Sequence, residues 1–217
     1  MVTLGDNRSR SLYISAWDTL IVALPLPKLT PEEYLAIERK ADYKSEYYNG
    51  EMFAKAGGSR AHSRLSVDWA VLLQTRLAGR NCEVFNSDLR VLVDSTGLYT
   101  YPDISVVCGK PVLVTDELDV LVNPKLIVEI LSTSTEAKDR GFKFQHYQRV
   151  DSLEEYVLVS QWEPRVECFY RRPSGAWGEY AVFTGLDSTV TLKSLELAIP
   201  MAAIYGGIKL SAVESNS

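Results

Sequence analysis

Leu126-Ile127-Val128-Glu129-Ile130-Leu131 is the stretch on which the reading of this chain turns: six strand-forming residues, apolar at both alternations save for one carboxylate. A strand that is apolar on both faces belongs in the middle of a sheet covered by helices, so the fold class is α/β or α+β around a central sheet. In such a strand Glu129 is costly. An unpaired buried carboxylate costs on the order of several kcal/mol even after relaxation, so a chain that keeps one pairs it, protonates it or gives it a metal.

The residues on either side suggest how that cost is met. Ser132-Thr133-Ser134-Thr135 supplies turn and capping hydroxyls, and a helix is expected from Glu136 to about Val150, with Gly141 as its weak point. On it Asp139, Lys143 and Tyr147 fall at i, i+4 and i+8, one polar stripe that the strand-to-helix turn can fold back over Glu129. Upstream, Tyr101-Pro102-Asp103 opens the β-rich run Ile104-Ser105-Val106-Val107-Cys108, and proline is tolerated at a strand's first residue. If this strand pairs with that of Glu129, the Cβ atoms of Asp103 and Glu129 oppose one another at about 5 Å. Two hard oxygen donors at that separation suit a divalent cation, which stabilises both as anions. A lysine beside them would stabilise charge developing on a phosphate.

Working outward, Thr30-Pro31-Glu32-Glu33 reads as a helix start running to about Lys40, and Asn49-Gly50 between Tyr43–Tyr48 and Glu51–Lys55 as a hairpin turn. A second amphipathic helix spans about His62 to Ala78, stopped by Gly79. Val84-Phe85, Leu89–Val93, Ile104–Cys108 and Leu126–Leu131 read as strands of one sheet, and Tyr156–Val159, Val166–Tyr170, Tyr180–Phe183 and Val190–Leu192 as a second β-rich stretch of hairpins. No repeat or long polar linker divides the chain. The expected organisation is an N-terminal arm over 1–28, a single domain over 29–205 and a C-terminal tail over 206–217.

Composition narrows the function classes. With 46% apolar and 24% charged residues the chain is neither disordered nor fibrous. The apolar run Leu20–Leu26 is too short to cross a bilayer and lacks the form of an export signal, so no membrane association is expected. Cys82, Cys108 and Cys168 lie far apart, suggest neither a zinc knuckle nor a disulfide framework, and point to a reducing, cytoplasmic setting. A net charge of −5 gives little counterion release on DNA, so any nucleic-acid role must be local. Arg60, Arg64, Lys138, Arg140 and Arg149 are the cations placed to form such a rim, a solvated surface being the plainer account of them.

Tyr101-Pro102-Asp103, Val128-Glu129-Ile130-Leu131-Ser132 with Ser134-Thr135, and Asp139, Lys143 and Tyr147, together with Glu46-Tyr47-Tyr48-Asn49-Gly50, His62 and Ser87-Asp88-Leu89-Arg90-Val91, resemble the Uma-two family of restriction endonucleases, within the PD-(D/E)xK nuclease superfamily. The resemblance covers about residues 29 to 200. It implies a restriction-endonuclease-like fold, a mixed central sheet flanked by helices, and hydrolysis of DNA phosphodiesters with Mg²⁺ or Mn²⁺. Asp103, Glu129 and the main-chain carbonyl of Ile130 would be metal ligands, and Glu46 a further acidic member. The superfamily's lysine would stand at Leu131; the family resembled commonly carries it on the following helix, which makes Lys143 the migrated candidate. His62, Asp88 and Tyr147 are candidate substrate contacts. Enzymes of the superfamily that cut both strands often work as homodimers.

Each residue also has a plainer reading: Asp103 as a strand cap, Glu129 as a satisfied buried acid, Glu46 as a solvated edge-strand acid opposite Phe53, Lys143 as an i, i+4 partner of Asp139, His62 as a helix-start residue, Asp88 as a partner of Arg90 and Tyr147 as packing. Three functions fit: a Mg²⁺-dependent endonuclease, a catalytically silent binding or scaffold module on the same fold, and a metal phosphoesterase on another substrate.

Overall fold

The computed structural model describes residues 28–115 and 118–210. The expected arm therefore lies outside the described residues, apart from Lys28. Local signals build the first elements. Helix α1 (Pro31–Glu38) begins with a reciprocal capping box, Thr30 accepting from the Glu33 amide and Glu33 accepting from that of Thr30. Strands β1 (Ser45–Tyr48) and β2 (Glu51–Ala54) join through Asn49 and Gly50, both at positive φ (51° and 85°), the turn whose twist matches the strands. Helix α2 (Arg60–Arg76) starts directly after Gly57-Gly58, capped by Ser59.

There follow β3 (Cys82–Asn86), β4 (Arg90–Val93), β5 (Leu98–Thr100), β6 (Ile104–Cys108), β7 (Leu113–Thr115), β8 (Leu118–Leu121) and β9 (Leu126–Leu131). The helix expected after β9 runs without a break from Glu136 to Tyr147 but changes pitch in its middle: α3 (Glu136–Lys138) and α4 (Phe144–Tyr147) are joined by a π-turn over Asp139–Lys143 that contains Gly141. The chain ends in β10 (Glu155–Ser160), β11 (Arg165–Arg171), β12 (Trp177–Thr184), the hairpin β13 (Thr189–Leu192) and β14 (Leu197–Pro200), and α5 (Met201–Tyr205).

Two six-stranded sheets result. One has the order β12-β11-β10-β9-β6-β3, mixed because β9 and β10 are parallel and the other pairs antiparallel; the second has the order β2-β1-β5-β4-β8-β7. The expectation that β3, β4, β6 and β9 share one sheet is thus corrected. β4 turns back through Asp94–Gly97 into the three-residue β5, and β5 pairs with β1, so a local hairpin draws β4 into the other sheet.

β9 lies at the centre, fully buried, as its sequence requires. Its alternation sorts two cores. Leu126, Val128 and Ile130 pack with Leu65, Trp69 and Leu73 of α2 and with α5, whereas Ile127 and Leu131 pack with Tyr147, Tyr156 and Leu158 under the π-turn. Glu129 therefore faces the π-turn side, with Leu131 beside it. Ile208 and Leu210, within the expected tail, pack against the first core.

Cys82 and Cys108 form a disulfide, which corrects the expectation of unpaired cysteines. They are opposed in the β3–β6 register, though 26 residues apart in the chain. The β4–β5 excursion between them hides that opposition from a spacing argument. Cys168 is free and buried. Among the described residues, no helix is long and apolar enough to cross a membrane.

Candidate active site

The register of β6 on β9 decides the site. Ile104 pairs with Val128, so the next antiparallel step places Asp103 opposite Glu129 on the same sheet face. Both carboxylates line one cavity of about 660 Å³, together with Glu46, Asp139, Lys143 and His62. Tyr101 and Pro102 bring the chain into β6 with Asp103 4% exposed, and Glu129 is 2% exposed.

Asp103 accepts from three directions. The Ile130 amide donates to Oδ2 at 2.8 Å, His62 Nε2 lies 3.1 Å from the same oxygen, and Lys55 Nζ stands 3.4 Å from Oδ1 while donating to the Tyr101 carbonyl at 2.7 Å. Burial works against ionisation of this acid, but the His62 hydrogen bond and the Lys55 charge outweigh it and hold Asp103 well below the usual carboxylate range. Reciprocally, burial opposes the charge on His62 and Asp103 overcomes it, so the imidazolium is favoured.

Lys143 is the hub of the other half. Its Nζ lies 3.0 Å from Glu129 Oε1, 3.1 Å from Asp139 Oδ1, an ion pair without hydrogen-bond geometry, and 3.4 Å from Glu46 Oε1. Tyr147 donates to Glu129 Oε1 at 2.9 Å. Three acids around one buried ammonium leave one proton poorly held off: burial, opposed by Lys143 and reinforced by Asp139 and Asp103, pushes Glu129 up to about 7. Lys143 is raised well above the usual ammonium range, its burial outweighed by Glu129 and the neighbouring acids. Burial acts against Glu46 as well, but Lys143 and hydrogen bonds from Lys138 and Thr100 hold it at about 2.

The structure thus brings together Asp103, Glu129, Lys143, Glu46, His62 and Tyr147. Lys143 reaches Glu129 because Glu129 and Leu131 face the π-turn side together. Leu131 fills the core there, and the ammonium arrives from above. Glu46 is not on an edge: β1 lies between β2 and β5, and the acid is 5% exposed. Asp88 stays at the periphery, ion-paired to Lys44 rather than to Arg90, whose Nε instead donates to the Tyr101 hydroxyl at 2.6 Å. Of the expected cationic rim, Arg140 is held by Glu167 through two hydrogen bonds, at 2.9 and 2.8 Å, and Lys138 by Glu46.

Sequence reasoning missed Lys55 and Thr100. Lys55 follows the hairpin strand as an ordinary exposed-looking cation, and Thr100 sits in the short β5; nothing in their spacing relates either to Asp103 or Glu46.

Gly58 has a packing role that the sequence alone disguises as a strand breaker. A Cβ there would sit 2.7 Å from His62 Nδ1 and 2.9 Å from Cγ, so the bare glycine lets the imidazole lie in place against Asp103. Gly58→Ala should tilt the ring away, and the pKa of His62, one of only two histidines, should fall towards its ordinary value in an NMR titration. An unmoved titration would show that the ring is placed by something else.

The residues able to hold a cation are Asp103 and Glu129, which oppose one another across β6 and β9. Among the described residues no three Asp, Glu, His or Cys side chains converge into a complete metal cage. Mg²⁺ is commonly held by one or two carboxylates with water filling its remaining positions, so two opposed oxygen donors fit it, and their hardness favours Mg²⁺ or Mn²⁺ over softer metals.

A mixed sheet with an acid in its central strand, a second acid opposed to it at the mouth of the neighbouring strand and a lysine folded over the first defines a protein of the restriction-endonuclease-like α+β class. Residues 31–202 match the family Uma2, described as "Putative restriction endonuclease", and the chain belongs to that family. It is similar to two proteins of Synechocystis sp.: the "Uncharacterized protein slr1290", 38% identical over 184 residues (85% of this chain, 95% of that protein), and the "Uncharacterized protein sll1609", 36% identical over 149 residues (69% and 84%). Its fold is similar to the crystal structure of "a putative nuclease belonging to DUF820" from Anabaena variabilis, with a TM-score of 0.64 at 20% identity, covering 80% of this chain and 96% of that one.

Proposed function

We propose that this chain is a Mg²⁺- or Mn²⁺-dependent endonuclease that hydrolyses DNA phosphodiester bonds at the Asp103–Glu129 pair. Membership of a restriction-endonuclease family supports a nuclease-like function, and the observation that carries the finer reading is the opposition of those two acids in one cavity with Lys143 at 3.0 Å from Glu129.

In this reading Asp103 and Glu129, with the Ile130 carbonyl, would hold the cation, which would supply Lewis-acid chemistry at the phosphoryl group. The Ile130 amide fixes the Asp103 carboxylate. Lys143 faces the phosphate and stabilises the charge that gathers on its oxygens as the water oxygen bonds to phosphorus and the P–O ester bond breaks. Tyr147 and Asp139 position Lys143 and Glu129. A cytoplasmic setting would suit a DNA substrate, but the Cys82–Cys108 disulfide, of a kind rare in a reducing compartment, counts against it. Two copies of the chain would be needed to cut both strands at once.

One observation favours a second reading, a catalytically silent binding module: Asp103, Glu129 and Glu46 already lie within ion-pair distance of Lys55, His62, Lys143 or Lys138. Calorimetry separates the two. Titrating Mn²⁺ into the wild type should give saturable heat that Asp103→Ala and Glu129→Ala each remove. A wild type without heat leaves the silent module standing.

A further inference from the structure

We propose that a basic groove alongside the cavity binds the phosphodiester backbone that flanks the cleaved bond; the inference rests on the nuclease reading and extends it to how the substrate strand lies. The groove, about 500 Å³, runs between the first two turns of α2 and the segment that follows α5. Arg60, Ser63, Arg64 and Val67 stand at i, i+3, i+4 and i+7, a single face of α2, and Lys209 faces them from the other wall. Ser63 and Val67 line both the groove and the catalytic cavity, so the two adjoin along one face of α2 and a strand leaving the cavity would lie across the groove.

The charge in the groove is of one sign. Its lining has three cations and, among the described residues, no Asp or Glu, although the chain as a whole carries −5. The adjoining cavity has the opposite character: its lining includes Glu46, Asp103, Glu129 and Asp139, whereas Arg60, Arg64 and Lys209 are exposed to solvent. Arg64 donates through Nε to Asp68 at 2.9 Å, which pins the guanidinium on the helix surface. On the far wall Gly206 and Gly207 present bare backbone, and a Cβ built at Gly207 meets nothing within 4 Å, so a bulky polyanion can approach closely. A polyanion fits this surface: phosphate contacts from Arg and Lys fix the register of a nucleic-acid strand without reading its bases. The groove also meets the requirement that a globally acidic chain bind DNA through a local patch.

The test is binding of a short labelled DNA duplex in EDTA, followed by fluorescence anisotropy across a salt series, for the wild type, for Arg60→Ala with Lys209→Ala, and for a charge-matched control, Lys110→Ala with Arg172→Ala. All four side chains are on the surface, and thermal unfolding confirms that the variants fold. The groove variant should bind about 10-fold to 100-fold more weakly than the wild type at low salt. The slope of log Kd against log salt should fall by about 2, since each lost phosphate contact removes roughly 0.9. The control should keep the wild-type slope. A groove variant with unchanged Kd and slope overturns the inference, as does a control weakened equally, which would mean net charge alone is read. Neither result touches the nuclease reading, which depends on cleavage that requires Asp103; a wild type that binds no duplex removes the groove and the choice of DNA together.

Discussion

Replacing Lys143 by methionine will lower the unfolding free energy by about 3–5 kcal/mol near pH 8, measured by urea denaturation in EDTA, because it leaves buried carboxylates without their counter-charge. The ammonium is 4% exposed and within 3.4 Å of Glu129, Asp139 and Glu46. Methionine fills much of the same volume, so the loss is electrostatic rather than a cavity. Glu46 keeps Lys138, but among the described residues Glu129 keeps the Tyr147 hydroxyl as its hydrogen-bond donor and Asp139 loses the ammonium beside it. The sign of the pH dependence follows from Glu129. Its pKa is already pushed up to about 7 with Lys143 present, and removing a positive neighbour raises it further. A carboxyl raised in the folded state contributes stability that is complete below its unfolded value and lost as pH rises through the folded one. The deficit of the variant should therefore shrink as pH falls from 8 towards 5, and adding Glu129→Gln should recover part of it at pH 8. An equal deficit at both pH values, or one below about 1 kcal/mol, would mean that Lys143 is not the counter-charge of this cluster.

The parts of this site that the sequence discloses are those governed by one element or one adjacent pair. The both-face apolar run around Glu129 announces a central strand because no other position buries such a segment. Pro102 marks where a second strand begins, while the pairing of the two, conditional in the sequence, is supplied by the β6–β9 register. Lys143 is legible through its spacing from Asp139, even though Gly141 converts the middle of the helix to a π-turn. Such turns recur at functional sites, and here the turn carries both Asp139 and Lys143. What is not legible depends on the second sheet. Glu46 reads as an edge-strand residue because its other neighbour, β5, is three residues long between turns, below the length at which alternation can be seen. Lys55 meets Asp103 only because that sheet is packed against the first, a contact 48 residues apart with no periodic trace. The cysteines fail for the same reason: the register that joins Cys82 to Cys108 exists only once β4 and β5 have left the first sheet.

Asp103→Asn should reduce nicking of supercoiled plasmid in Mg²⁺ by roughly 10²–10³-fold, the range seen when one preorganised electrostatic contact to the reacting group is removed. Asparagine keeps the shape of the side chain and an acceptor oxygen for the Ile130 amide at 2.8 Å, so β6 and β9 stay in register. What it removes is the charge. Lys55 and His62 then have no carboxylate between them, and the pair opposed across the ladder is left with one anion to hold a divalent cation. The variant also has a signature in stability that a bystander would lack. Asp103 is held well below the ordinary carboxylate range, so its ionised form contributes stability above about pH 4 that disappears as pH falls through the depressed value. The asparagine variant should be less stable than the wild type at neutral pH and converge on it in acid. Loss of cleavage together with that convergence ties the activity to the buried anion itself. Nicking at a third or more of the wild-type rate, with the convergence still present, would separate the two and place the hydrolytic centre away from Asp103, however well that residue is buried and paired.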